Sequence, residues 1–217
     1  MVMVLASAGV KSRGGMAERQ GYPSGDFMKP ISMFIRANVV GPRGKVLEKD
    51  VRATVISRIT SAALAEITSW KPILEMHRQE DEAWNWPAIV EECRAASRTG
   101  EASYEFIILR ARRDVQSLMI LETEAHLSLQ TRTSILYVEY LAVAPWNRPP
   151  IQSPRRFSGC GSALIEFAIR RSEELGYDGR VGLHSLPGSR TFYARSGFID
   201  LGADEAEGGL HYFEYRG

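Results

Sequence analysis

The stretch Arg155-Arg156-Phe157-Ser158-Gly159-Cys160-Gly161-Ser162-Ala163-Leu164 decides how the whole chain is read. Two glycines bracket the start of a periodic apolar segment. Leu164, Ile165, Ala168 and Leu175 fall on one stripe and Gly176 supplies a stop, so the spacing predicts a helix from about Gly159 to Leu175. The first N–H groups of a helix lack intrahelical acceptors and carry the positive end of its dipole. Glycine lets a ligand come close to them because no Cβ intervenes. With Arg155 and Arg156 just ahead, the segment is a candidate cradle for a diphosphate. The plainer alternative is an ordinary capped helix behind two solvated arginines. Other phosphate motifs do not fit. No Gly-Lys-Ser/Thr closes the loop as in a Walker sequence, and Leu164 stands where a dinucleotide fingerprint needs its third glycine.

Working outward, Ile135 to Ala144 is a nearly continuous apolar run closed by Pro145, the pattern of a strand covered on both faces. A loop with Pro149, Pro150 and Pro154 joins it to the glycines. Tyr104 to Leu109 and Val115 to Leu121 are two β-rich runs around Arg110-Ala111-Arg112-Arg113-Asp114, read as a solvated hairpin turn. Downstream, Arg180 to His184, a short helix over Ser189 to Arg195, Phe198 to Leu201 and Leu210 to Tyr215 give a β-α-β-β tail. Upstream, Ile31 to Val40 is a strand stopped at Gly41-Pro42. Asp50 is read as the cap of a helix with the stripe Val51, Val55, Ile59, Ala62, Ala63, Ile67 and Trp70. A second helix runs from Pro87 through Ile89, Val90 and Cys93 to Gly100. The pattern is α/β: one mixed sheet with helices on both faces, in a single domain over 28–217. Residues 1–27, rich in glycine and with little to bury, are read as a flexible leader.

Composition narrows the function. The chain has 217 residues, 44% of them apolar, enough for a core without disulfide or metal staples. Its 27 basic and 26 acidic side chains nearly cancel, so no global field draws it to nucleic acid or an acidic membrane. The two cysteines, Cys93 and Cys160, lack metal-ligand spacing and fit a reducing compartment, hence a cytoplasmic expectation with no membrane partner. No apolar run approaches the ~20 residues of a membrane span. The order of charge and apolarity in Met1 to Val10 is not that of a signal peptide.

Arg156-Phe157-Ser158-Gly159-Cys160-Gly161 also matches Arg/Gln-x-x-Gly-x-Gly/Ala, the acyl-CoA signature of the GNAT N-acetyltransferases. Tyr137-Val138-Glu139-Tyr140-Leu141-Ala142-Val143-Ala144-Pro145 precedes it and resembles that family's fourth strand. Phe192-Tyr193-Ala194-Arg195-Ser196-Gly197-Phe198 follows and resembles its Phe-Tyr-x-x-x-Gly-Phe ending. In this order and spacing the chain resembles the GNAT family over roughly 104–216, and more loosely before that.

The resemblance implies a mostly antiparallel sheet whose fourth and fifth strands splay into a V. It implies acetyl-CoA as co-substrate, no metal, and direct transfer of the acetyl group to a primary amine through a tetrahedral intermediate, without an acyl-enzyme. Amides of Leu141, Ala142 and Val143 would hold the pantetheine arm. Arg155, Arg156, Phe157, Ser158, Gly159, Cys160, Gly161 and Ser162 would hold the pyrophosphate.

Glu139, the only acid within Ile135 to Ala144, is the implied base. Strand alternation puts it on the face of Tyr137, Leu141 and Val143, and apolar surroundings would raise its pKa. The alternative is a structural acid paired with an arginine. Tyr193 is the implied acid toward the departing thiolate, or else a buried aromatic with its hydroxyl bonded locally. His184 is a second candidate base or a structural strand-end histidine. Trp84 and Trp86 wall an acceptor pocket or merely anchor packing.

The chain departs from the family at Leu186, where many relatives carry a pantetheine-binding asparagine; Ser185 beside it could substitute. The acceptor, a small-molecule or peptide amine, stays open, as does homodimer formation. Two rivals stand. One is a catalytically silent CoA-binding sensor or interaction domain. The other is a hydrolase or acyltransferase using Cys160, its thiol acidified by the helix dipole.

Overall fold

The computed structural model describes residues 29–40 and 45–217. The expected leader and the Gly41-Pro42 stop lie outside the described residues. β1 (Ile31–Val40) forms as expected and turns its Met33, Ile35 and Ala37 inward. The next segment corrects the reading at Asp50: Val46–Ile56 is a strand, β2, not the start of a helix. Val51, Ala53 and Val55 obey a period of two as well as Val51 and Val55 obey a helical step. The antiparallel hairpin with β1, from Ile31↔Val55 to Val40↔Val46, selects the former. Helix α1 (Ser61–Thr68) starts later, where the Thr60 side chain accepts from the Ala63 N–H at 3.2 Å.

Helix α2 (Lys71–Met76) follows. In α3 (Trp86–Thr99) the Asn85 side chain caps the Ala88 N–H, Pro87 sits in the first turn, and Gly100 ends the helix at φ 71°. Strands β3 (Tyr104–Ala111) and β4 (Asp114–Glu122) make the expected hairpin, with Arg112 at φ 59° in the turn. The turn is not simply solvated. Arg110 donates to the Arg113 carbonyl at 2.7 Å and pairs with Glu66 of α1 at 3.3 Å.

The rest is β5 (Leu136–Val143), the short β6 (Phe157–Ser158), α4 (Cys160–Glu174), β7 (Val181–Ser185), α5 (Arg190–Arg195), β8 (Ile199–Asp204) and β9 (Leu210–Tyr215). Among the described residues nine strands form one sheet in the order β6-β1-β2-β3-β4-β5-β7-β9-β8. Every neighbouring pair is antiparallel except β5 and β7. Each face of the sheet carries its own core. On one, Ala163, Leu164, Phe167 and Ala168 of α4, together with Tyr193 of α5, pack on Leu109, Leu121, Leu141 and Val143. On the other, Ile67, Leu74, Val90 and Cys93 of the first three helices pack on Ile108, Leu118, Ile120 and Ala142. Helices therefore cover both faces, as the apolarity of β5 predicts.

Candidate functional site

The site begins where two strands part. β5 and β7 pair only at Leu136↔Val181 and Tyr137↔Gly182, then diverge, and among the described residues no strand lies beside that edge of β5 beyond them. On its other edge β5 stays paired to β4, and the Ala144 N–H bonds the Gln116 carbonyl at 2.9 Å. Backbone groups of an antiparallel strand alternate between its two edges. Ala142, two residues from Ala144, therefore turns its amide to β4, whereas Leu141 and Val143 turn theirs into the gap. The expected trio of amides is thus a pair.

Arg148 fixes the end of that edge. Its Nε donates to the Val143 carbonyl at 2.7 Å, and its two terminal nitrogens grip Asp81 at 2.8 and 2.7 Å. Both side chains are almost wholly buried. Asn147 ties the same turn to the glycine segment. Its Oδ1 accepts from the Phe157 N–H at 2.9 Å, and its Nδ2 donates to Gln116 at 2.9 Å and reaches the Cys160 sulfur at 3.6 Å. Sequence reasoning missed Asp81, Gln116, Asn147 and Arg148. The one local signal was their position: Asn147 and Arg148 directly follow a strand end, among prolines that fix the chain.

Gly159 adopts φ +84°, a left-handed conformation that favours glycine, and a Cβ there would meet nothing within 4 Å. The backbone of the loop is therefore open to approach. Ala163 is the first residue to bond within the helix, to the Gly159 carbonyl at 2.9 Å. The N–H groups of Cys160, Gly161 and Ser162 come before it, at the positive end of the dipole. The two arginines divide. Arg156 pairs with Asp114 at 2.8 Å and lies over the Phe157 ring, while Arg155 is exposed, close enough to Cys160 to act on its thiol. Ser158 is buried and its hydroxyl accepts from Asn38.

Burial pushes the Cys160 thiol up to about 12, the reverse of the acidified thiol expected at a helix start. Desolvation of the thiolate outweighs both the helix start and Arg155. A cysteine nucleophile is not supported. Cys93, likewise buried, is also pushed up to about 12.

Glu139 is buried on the side of Tyr137, as expected, but opposite Leu141 and Val143. The register between β4 and β5 slips so that Ile120 faces Tyr140 and Leu121 faces Val138, which makes Glu139 the extra residue of a β-bulge. Alternation reverses there. Leu136 and Val138 share a core with Leu141 and Val143, and Tyr140 and Ala142 belong to the other. The Glu139 carboxylate lies on the side of α3, and its charge raises the pKa values of Tyr137, Tyr140, Tyr104 and Cys93, all of which are raised first by burial. It has company there. The carboxyl oxygens of Glu139 and Glu122 and a ring nitrogen of His126 lie within 4.8 Å of one another. Glu122 and His126 sit four residues apart at the end of β4, a local spacing in the sequence that went unread.

Tyr193 is fully buried against Phe192, Phe198 and Phe213. Its hydroxyl has no hydrogen-bond partner among the described residues, and burial raises its pKa well above the phenol range. His184 is engaged at both ring nitrogens, with the Tyr137 hydroxyl at 2.6 Å and Asp204 at 3.3 Å, and burial lowers its pKa. Ser185 donates its hydroxyl to the Leu186 carbonyl at 2.9 Å, and Leu186 packs into the core beside the tryptophans. Trp84 and Trp86 meet edge to face at 5.2 Å, and each meets Tyr140 in the same way. Together with Thr68, Lys71, Asn85 and Pro87 they line a cleft of about 170 Å³ next to the Glu139 strand.

No protein-family model and no curated protein matches the sequence. Solved structures match the fold. The ribosomal L7/L12 alpha-N-protein acetyltransferase RimL superposes with a TM-score of 0.52 at 10% identity, covering 84% of this chain and 94% of that one. An acetyl transferase from Salmonella typhimurium, described as modifying the N-terminal serine of the 50S ribosomal subunit protein L7/L12, gives 0.51 at 9% identity, covering 76% and 94%. A structure from Desulfovibrio desulfuricans, described as a putative acetyltransferase of the GNAT family, gives 0.49 at 15% identity, covering 76% and 98%. At these identities the likeness to the first two is one of fold.

Proposed function

Starting from the GNAT fold of this chain, we propose that it is an N-acetyltransferase that takes acetyl-CoA as co-substrate and moves the acetyl group directly to a primary amine. The observation that carries the reading is the parting of β5 from β7 after two paired residues. It leaves the Leu141 and Val143 amides, buried as they are, without a strand partner among the described residues.

The residues present suit such a ligand. The unbonded N–H groups at the start of α4, with exposed Arg155, suit a diphosphate. The open space over Gly159 admits it. The orphaned Tyr193 hydroxyl supports a polar group arriving from outside the chain, because a buried donor left unpaired costs about 1–3 kcal/mol. When bound, the thioester supplies an acetyl carbon open to attack by an amine. The Leu141 and Val143 N–H groups would hold its carbonyl oxygen, where one donor aimed at developing charge contributes about 3 kcal/mol. Glu139 would receive the ammonium proton of the acceptor; Tyr193, held protonated by burial, would donate to the leaving sulfur and be restored by the second proton that the nitrogen loses. The cleft beside Trp84 and Trp86 is the acceptor's entrance. No helix among the described residues is long and apolar enough to cross a membrane. Buried reduced thiols at Cys93 and Cys160 suit a cytoplasmic setting.

A thiol-release screen of the purified chain with acetyl-CoA over an amine library tests the proposal. Amine-dependent release supports it. Coenzyme A binding with no release by any amine would favour a silent binding domain.

Two variants probe the parts. Gly159→Ala meets no clash and adds only left-handed strain of about 1–2 kcal/mol. It keeps the fold by circular dichroism but weakens coenzyme A binding about tenfold, because its methyl projects into the space over the loop. Tyr193→Phe removes an unpaired buried hydroxyl, so its thermal stability equals or exceeds that of the parent, while the maximal rate falls about tenfold or more. A rate unchanged by that substitution would remove Tyr193 from the mechanism.

A further inference from the structure

Acetylation of an ammonium has a proton balance that the site must meet. The acceptor nitrogen starts with three protons and ends, as an amide, with one. Of the two lost, one goes to the thiol sulfur and one must reach bulk water. Glu139, which receives a proton in the reading above, is only 4% exposed and cannot hand it to solvent directly.

We propose, resting on that reading of Glu139, that Glu122 and His126 form its proton outlet, with His126 as the last protein group before water. The geometry is local and complete. Glu122 is 6% exposed and lies opposite Tyr137 in the β4–β5 register, and Tyr137 is two residues from Glu139 on β5, so strand alternation puts Glu122 on the same side as Glu139. Its Oε2 meets His126 Nε2 at 2.5 Å. All three groups lie within 4.8 Å of one another, near enough for a proton to pass directly or across one water. The His126 side chain is 26% exposed, so it bridges the buried carboxylates and solvent.

The ring is also held in place. Tyr137 stacks on it at 4.0 Å with planes 16° apart, and the His126 carbonyl accepts from the Ile135 N–H at 3.2 Å. His184, the histidine singled out from the sequence, is occupied by Tyr137 and Asp204 and is not one of the three.

The proton moves from the acceptor nitrogen to a Glu139 oxygen, on to the Glu122–His126 pair, and from the imidazole to water or buffer. No bond other than N–H and O–H changes along this path, and no redox partner is needed. A small diffusible base should then stand in for a missing imidazole. Three proteins, wild type, His126→Ala and Glu122→Gln, are assayed in dilute buffer with and without added imidazole, using an amine that the wild type accepts. His126→Ala is expected to lose about tenfold in maximal rate with its KM for acetyl-CoA unchanged, and added imidazole restores most of the loss. Glu122→Gln loses rate without that recovery.

A His126→Ala rate within twofold of wild type in dilute buffer overturns the outlet, and so does a loss that imidazole leaves untouched. His126→Asn repeats the test should the alanine variant fold poorly. The wild-type control separates the two levels. No amine-dependent release by the wild type removes the acetyltransferase reading and the outlet together. An active wild type beside an insensitive His126→Ala removes the outlet alone.

Discussion

Replacing Glu139 by glutamine lowers the maximal rate of acetyl transfer by about 10²- to 10⁴-fold, the range a positioned general base supplies, and leaves coenzyme A binding within about twofold. The substitution keeps the size of the side chain and removes its ability to take a proton. The bulge at Glu139 matters here: beyond it Leu141 and Val143 face the α4 core, while Glu139 stays on the opposite side with Tyr140, whose ring meets Trp84 and Trp86. The cofactor segment lies at the other end of β5, so its contacts survive. Steady-state rates against amine concentration, set beside calorimetric titration with coenzyme A, separate the two effects. A parallel fall in both would recast Glu139 as a structural acid.

Replacing Arg148 by alanine has the largest expected effect on stability. It strands Asp81, itself about 1% exposed, and releases the Val143 carbonyl. Removing one partner of a buried ion pair costs about 3–5 kcal/mol, which in a chain of this size lowers Tm by about 10 °C. The double change Arg148→Met with Asp81→Leu recovers most of that loss, because a buried pair replaced by apolar groups of similar volume is close to neutral. Transfer activity does not recover with it. Met cannot hold the Val143 carbonyl, so the β5 edge stays loose where its amides must face the thioester. Thermal melts and rates on the single and double variants read the two apart. Full recovery of rate in the double variant would show that the arginine serves the fold alone.

The strands around the site were legible because their sequences are nearly unbroken apolar runs. Ile135 to Ala144 could only be a strand sheltered on both faces, and the glycines after it could only open a helix. Val46–Ile56 was misread because Val51 and Val55 satisfy two periods at once. Pairing with β1 chooses between them, and pairing is not written in a local window. The bulge at Glu139 was illegible for the same reason, as one extra residue appears only against the partner strand. Arg148 and Asp81, 67 residues apart, resemble any surface charges until the fold buries them together. Gln116 and Asn147 are the same case at a separation of 31 residues. Glu122 and His126 are different. Their four-residue spacing beyond a buried strand was visible, and only their approach to Glu139 needed the fold.

Calorimetric titration of the purified chain with coenzyme A measures the core of the proposal without requiring knowledge of the acceptor. One saturable site per chain is predicted, weaker at high salt because the diphosphate is held by backbone N–H dipoles and Arg155, and weaker again in Gly159→Ala. An absence of binding at millimolar coenzyme A, or equal affinity in the variant, would contradict it.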